Sequence, residues 1–270
     1  MTAPTTTTVP ILMYHSVAVT PDPRVLDLSV HPDHFDAQLD ALTEAGYTTM
    51  TFSAVRAALA GGQTLPAKPV VLTFDDGYAD FHREALPRLV SHGATATLFV
   101  TTGWLADAGR HASGRPLDDT LTWEQVGDVD AAGIEIGAHS HSHPQLDQLP
   151  DQLLDEELAT SRLLLEDRLG HRVTSLAYPY GYSSRRVRRA AEAAGYERAA
   201  AVANVAAGPG SDAYAVPRLT VRRSTDTDRF RRIVGQQDLA SLFLRERVLT
   251  AGFAAVRRSR AAARTWCRLG

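Results

Sequence analysis

Short apolar runs of strand length alternate with longer amphipathic stretches along most of the chain. Ile11–Tyr14 is an apolar run that follows Pro10, and Val70–Phe74 is another, rich in β-branched residues, between Pro69 and Gly77. Between them, residues 33–45 place Phe35, Leu39 and Leu42 on one helical face, with Gly46 positioned as a C-cap. The pattern then predicts a helix over 79–91, a strand over 95–100, a helix over 123–132 and a strand over 134–138. A long helix over 150–169 follows, with Leu153, Leu154, Leu158 and Leu165 on or near one stripe. A strand at 174–178, a helix at 183–194 and a strand at 198–203 complete the alternation. Such alternation implies a parallel sheet, and about seven units without a linker favour a closed barrel over an open doubly wound sheet. No internal repeat is visible. No Gly-rich phosphate loop follows any of these strands, which argues against dinucleotide and nucleoside-triphosphate chemistry.

Composition narrows the class. The 270 residues are 44% apolar and 22% charged, enough to bury a large core. Cys267 is the only cysteine, so an intrachain disulfide and a Cys-rich zinc module are excluded. No apolar run approaches the roughly 18 residues of a membrane span. MTAPTTTTVP lacks the basic and apolar regions of a signal peptide, so the expected location is the cytoplasm. The net charge of −3 is uneven: residues 229–270 carry ten Arg against Asp238 and Glu246. The expected organisation is a flexible N-terminus (1–8), a barrel domain (9–237) and a basic helical extension (238–270). In the extension, Leu242, Leu249, Phe253 and Val256 fall on one stripe, and Arg245, Arg257, Arg258, Arg260, Arg264 and Arg268 supply charge. A helix of this kind either packs on the barrel or lies on an anionic membrane face.

The unusual polar residues fall at strand ends. Asp75 and Asp76 follow VVLTF, His139 and His143 follow IEIGA, His15 follows PILMY, and YPYG follows SLA. In a parallel barrel the C-terminal strand ends share one face, where catalytic residues gather. Adjacent strand residues point to opposite faces, so Asp75 and Asp76 call for two roles, one toward a metal and one toward a proton. Asp-Asp-Gly is also ordinary turn chemistry. His139 and His143, four apart in a loop before Pro144, can converge on one metal, while His141 points elsewhere. Two imidazoles and a carboxylate leave coordination sites open, as a catalytic metal needs. The other histidines, among them His82, His92 and His171, read as solvated surface. Trp123 reads as a core residue at a helix start, with sugar stacking as its alternative.

TFDDG at Thr73–Gly77, HSHSH at His139–His143 and AYPYG at Ala177–Gly181 together resemble the polysaccharide deacetylases, the NodB-homology domain of carbohydrate esterase family 4. The resemblance covers roughly residues 9–235. It implies a distorted (β/α) barrel and a divalent metal, usually zinc, held by Asp76, His139 and His143. It implies that Asp75 is the general base that takes a proton from the attacking water. The backbone N–H of Tyr180, just after the third-motif proline, would hold the oxyanion. Two departures stand out. The family's Arg two residues before that proline is Ala177 here, so the base must be oriented another way. No histidine follows His171, so the family's late acid is missing. ILMYHSV at Ile11–Val17 resembles a branch acting on poly-N-acetylglucosamine-type polymers, in which an early histidine is the acid, and this makes His15 the candidate. The expected function is metal-dependent N-deacetylation of an N-acetylated sugar, with no nucleic-acid partner. A non-sugar amide on the same fold and a non-catalytic carbohydrate-binding descendant are the alternatives.

Overall fold

The computed structural model describes residues 8–59, 61 and 64–248. Its strands are β1 (Ile11–Tyr14), β2 (Ser16–Val17), β3 (Ser29–Val30), β4 (Thr48–Met50), β5 (Pro69–Phe74), β6 (Thr97–Val100), β7 (Glu135–Ala138), β8 (Ser175–Ala177), β9 (Arg198–Ala200) and β10 (Leu219–Thr220). The helices are α1 (Pro32–Glu44), α2 (Phe52–Leu59), α3 (Leu86–Ser91), α4 (Trp123–Ala131), α5 (Asp151–Leu169), α6 (Arg185–Ala193), α7 (Thr227–Val234) and α8 (Leu239–Leu242). The main sheet runs β10-β1-β5-β6-β7-β8-β9, with β4 beside β5, and every pairing is parallel. A parallel bridge from Ala200 to Val216, just ahead of β10, joins the two ends and curls the sheet into the expected barrel.

Side-chain parity sorts the strands into two buried faces. Val70, Leu72 and Phe74 of β5 join Leu12, Leu98, Ile136, Leu176 and Leu219 under the helices. Val71, with Ile11, Phe99, Ala177, Ala200 and Val216, fills the interior. Strands buried on both faces read as continuous apolar runs, which is how they appear in the sequence. The same parity turns the odd-numbered residues at the β1, β5 and β7 ends inward: His15, Asp75 and His139. At the opposite end of the barrel, Glu135 accepts from Ser175 Oγ (2.6 Å), Thr97 Oγ1 (2.9 Å) and the Ser53 N–H (2.9 Å), which ties the start of α2 to the barrel floor.

The helices follow the apolar stripes with two corrections. Leu154, Leu158 and Leu165 anchor α5, but Leu153 is exposed. The helix expected over 79–91 is instead a π turn (Phe81–Ala85) leading into α3. Pro87 has no N–H to donate to the preceding turn, and the wider turn takes up the defect. β2–β3, β4, α2, β10 and α7 are elements the pattern did not predict. The packed body also runs past Gln237, because Phe243 is buried in the main core and its ring receives the Arg229 guanidinium at 5.8 Å. Of the basic stripe, Leu249, Phe253 and Val256 lie outside the described residues. Among the described residues no helix is long and apolar enough to cross a membrane.

Asp80, at the head of the π turn, fastens β2 to the body. Its Oδ2 lies 2.5 Å from Ser16 Oγ, its Oδ1 accepts from the Val17 N–H at 3.2 Å, and Ser16 Oγ is 2.9 Å from Ser29 Oγ. Burial pushes the Asp80 carboxyl up to about 7, against the opposing hydrogen bonds from Ser16 and Val17. A raised folded-state value favours the protonated form, so the stability it carries is full at low pH and is lost as pH rises from about 4 through about 7. Asp80→Asn reproduces the neutral acid: the amide N–H₂ donates to Ser16 and the oxygen accepts from Val17. Thermal melts from pH 4 to 9 should show this variant more stable than the parent above pH 7, with the gap closing toward pH 4.

Candidate active site

The inward strand ends open onto a cavity of about 350 Å³ lined by His15, Asp75, Asp76, His139, His143 and Tyr180, among others. Four segments far apart in sequence therefore meet where the strand-end positions predict. Asp75 is placed by strand parity. Asp76 would point outward by the same rule, but it takes a left-handed backbone conformation (φ 79°), followed by Gly77 at φ 83°. This turn swings the second carboxylate back into the cavity beside the first, so the pair has two orientations, as its chemistry requires.

Asp76, His139 and His143 come together on one spot. Asp76 Oδ1 lies 3.4 Å from His139 Nε2 and 3.2 Å from His143 Nε2. The ligand atoms of the three lie within 4.8 Å of one another. Asp76 Oδ1 is buried and has no well-directed donor among the described residues. Burial opposes its ionisation, but the two imidazoles outweigh burial and hold the carboxyl well below the usual range. His139 Nδ1 is 2.8 Å from the Ala177 carbonyl, which fixes the proton on Nδ1 and leaves Nε2 free to coordinate. Ligands at about 2.0–2.2 Å from a tetrahedral ion stand roughly 3.3–3.5 Å from each other, so the observed spacings fit such an ion. The donor set of two nitrogens and one oxygen suits a divalent transition-metal ion. The Trp104 and Tyr180 rings close over His143, at 4.7 and 4.8 Å between centroids.

Asp75 faces a residue that sequence reasoning missed. Arg218, fully buried just ahead of β10, donates to Asp75 Oδ1 at 2.6 Å and to Oδ2 at 2.7 Å. The guanidinium also donates to Thr73 Oγ1 (3.0 Å) and the Ala201 carbonyl (3.3 Å), and it lies 5.6 Å above the Phe99 ring. Burial would raise the Asp75 pKa, but the charges of Arg218 and His139 and the two hydrogen bonds hold it below the ordinary value. A buried Arg thus stands against Asp75 although position 177 is Ala, and it comes from the segment just ahead of β10. A single Arg inside the apolar stretch AVPRLTV was the available signal, hidden because Pro217 breaks the strand pattern.

His15 reaches the cavity wall, and its Nδ1 is buried without a partner among the described residues. Burial lowers its pKa, against the opposing pull of Asp76 and Asp75. Tyr180 sits in a turn at φ 61°, half-exposed and stacked on Tyr182 at 5.7 Å. The hydrogen bonds of that turn run from the Gly181 and Tyr182 N–H groups to the Tyr178 and Pro179 carbonyls. His141 points away from the triad, with Nδ1 2.9 Å from Thr102 Oγ1. Trp123 packs beside the core under Arg168 (5.3 Å) and is not on the cavity wall. His82 and His171 pair with Asp128 and Asp130 away from the cavity. Arg222 and Glu246, neither of them singled out by the sequence, complete the cavity wall.

A parallel barrel that gathers a carboxylate–imidazole–imidazole cluster and a separate ionised carboxylate at its strand ends has the makings of a hydrolase site. The family model for polysaccharide deacetylases matches residues 62–199. The Bacillus subtilis protein YxkH, named for the same family, is 31% identical over 212 residues, which cover 78% of this chain and 71% of that one. The chain belongs to the polysaccharide deacetylase family, hydrolases that act on carbon–nitrogen bonds. The Escherichia coli poly-β-1,6-N-acetyl-D-glucosamine N-deacetylase is 33% identical over 123 residues, 43% of this chain but only 18% of that much longer relative. Among solved structures, the Streptococcus pyogenes deacetylase PplD in complex with acetate superposes with TM-score 0.76 at 26% identity, covering 85% of this chain and 99% of that one. IcaB from Ammonifex degensii gives TM-score 0.72 at 25% identity, covering 84% and 97%.

Removing Arg218 leaves a carboxylate buried without its partner, which typically costs about 3–5 kcal/mol. Arg218→Met should lower stability by about that much at pH 7 in urea melts. A carboxylate with a depressed folded-state pKa contributes stability above its unfolded value and loses it as pH falls through the folded one. The deficit of Arg218→Met should therefore narrow in strongly acidic buffer.

Proposed function

We propose that the protein is a metal-dependent N-deacetylase of a polymer or oligomer of N-acetylglucosamine. The observation that carries this reading is the placement of Asp75 and the Asp76–His139–His143 cluster on one cavity wall. Asp76, His139 and His143 would hold the divalent ion, which we take as zinc. When bound, that ion supplies Lewis-acid polarisation of the acetyl carbonyl. Asp75, kept ionised and aimed by Arg218, takes a proton from the attacking water. The N–H of Tyr180 donates to the carbonyl oxygen as negative charge develops on it. The carbon–nitrogen bond then breaks as protonated His15 passes its proton to the leaving amine; burial lowers its pKa, and the Asp76 and Asp75 carboxylates favour the charged form against it. The products are acetate and a free amine on the sugar. The ionised Asp75 beside the cluster disfavours a purely carbohydrate-binding role, which has no use for a base.

The substrate class rests on relatives: the Escherichia coli enzyme is named for poly-β-1,6-N-acetyl-D-glucosamine, and PplD was solved with acetate. Acetate release should be measured for zinc-loaded protein against N-acetylglucosamine, chitooligomers, β-1,6-linked oligomers and non-sugar acetamides. Turnover is expected on the linked sugars. Activity confined to non-sugar acetamides would overturn the substrate class. Asp75→Asn and His15→Ala should each lower kcat by roughly 10²–10⁴-fold while retaining zinc, whereas His139→Ala should lose zinc and activity together.

The basic C-terminal segment is proposed to bring the enzyme to an anionic membrane surface. Leu244 and Val248, at the start of that segment, are exposed, and Glu246 between them lines the cavity. Each Arg near such a surface contributes about 1 kcal/mol. Replacing Arg257, Arg258 and Arg260 together with Gln should weaken binding to vesicles of anionic lipid by roughly 100-fold. Unchanged co-sedimentation, or binding indifferent to lipid charge, would exclude the contact.

A further inference from the structure

The loop that carries His143 is unfavourable on its own. Between the end of β7 and Pro144 it needs two left-handed residues, Ser140 (φ 62°) and His143 (φ 61°), and neither is glycine. His139 stands at the end of β7, where its N–H donates to the Val100 carbonyl (2.8 Å) and its ring is fixed by Ala177. His143 is packed between the Trp104 and Tyr180 rings, but its backbone is reached only through the path of residues 140–142.

One acidic side chain grips that path from outside. Glu157 Oε2 accepts from the His141 N–H at 2.9 Å and from the Ser142 N–H at 2.8 Å, and Oε1 accepts a short hydrogen bond from Ser142 Oγ. Glu157 lies on α5 next to Leu158 and one turn from Leu154 and Ser161, the buried residues that seat the helix on the barrel. Its carboxylate is therefore held by the rigid body, and hydrogen bonds to a charged acceptor are about twice as strong as neutral ones. On the other side of the loop, the Gly103 N–H donates to the His141 carbonyl at 2.7 Å. Gly103 is pressed so close that a Cβ there would sit 2.6 Å from that same oxygen. Inside the loop, Ser140 Oγ accepts from the His143 N–H at 3.1 Å. The loop is thus clamped between α5 and residue 103, and the charged jaw of the clamp is Glu157.

We infer that Glu157 is a positioning residue, which fixes the 140–142 backbone so that His143 meets Asp76 and His139 at coordinating distance, and thereby sets the affinity of the site for a divalent ion. The inference rests on the metal-site reading proposed above. Glu157 touches neither metal nor substrate, so its effect is on binding of the ion and not on the proton steps.

Zinc affinity, measured on the full chain by competition with a chromogenic chelator, is the deciding quantity. Partners that orient metal ligands from behind typically contribute 10–100-fold in affinity. Glu157→Ala should weaken zinc by that factor while the metal-free far-UV spectrum stays native, because Asp76 and His139 keep their places. Glu157→Asp keeps the charge but withdraws the carboxylate by one methylene, and it should also weaken zinc. It decides the matter if the alanine variant does not fold. Wild-type zinc affinity in either folded variant overturns the role of Glu157 while leaving the metal site standing. Parent protein that binds zinc no better than His139→Ala overturns both readings.

Discussion

The buried ion pair between Asp75 and Arg218 is the constraint around which the molecule is arranged. Neither group can be placed in a barrel interior alone, because the cost of stripping water from a lone charge exceeds what packing returns. Together, with both carboxylate oxygens accepting from the guanidinium, they make an interior charge tolerable and keep it negative. The pair also joins the catalytic face to the closure of the barrel. Arg218 lies between the bridge of Val216 to Ala200 and the pairing of Leu219 with Leu12, so the partner of the Asp75 carboxylate sits where the sheet meets itself.

Much of the site is built by ordinary strand parity, and a small part by departures from it. His15, Asp75 and His139 point inward because their strands alternate. Asp76 and His143 reach the same cavity only through left-handed backbone at non-glycine positions, which typically costs about 1–3 kcal/mol each. The second group is where the surrounding structure must do the holding, through Gly77 after Asp76 and through Glu157 and Gly103 around the histidine loop. Residues placed by strand parity and residues placed by strained backbone thus meet in one carboxylate–imidazole cluster.

These mechanisms explain what the sequence could disclose. The barrel and the convergence of Asp75, Asp76, His139 and His143 were legible because long apolar strands carry a strong periodic signal and their ends fall at fixed places. β4 and β10 were not, being three and two residues long, too short for any period to register. Arg218 went unseen for the same reason, together with Pro217 before it. A resemblance in motifs exposed the gap at Ala177 but could not say which residue faces Asp75, since Arg218 lies 41 positions further along the chain and is brought there by the fold. The π turn replacing the first part of the 79–91 helix was hinted at by Pro87, yet a proline near a helix start is compatible with an ordinary first turn.

The pairing of Asp75 with Arg218 spans 143 positions of the chain, and this separation has a consequence for biosynthesis. A ribosome adding about 5–20 residues per second needs roughly 7–30 s to pass from one to the other. Throughout that interval the first carboxylate has no counter-charge, β1 lacks its outer neighbour and the barrel cannot close. Strands β5 to β9 can pair as they emerge, but an ionised Asp75 cannot enter a dry interior until the last strand arrives. Closure of the barrel and pairing of the Asp75 carboxylate are therefore the same event, reached only once β10 has been made and not by gradual accumulation.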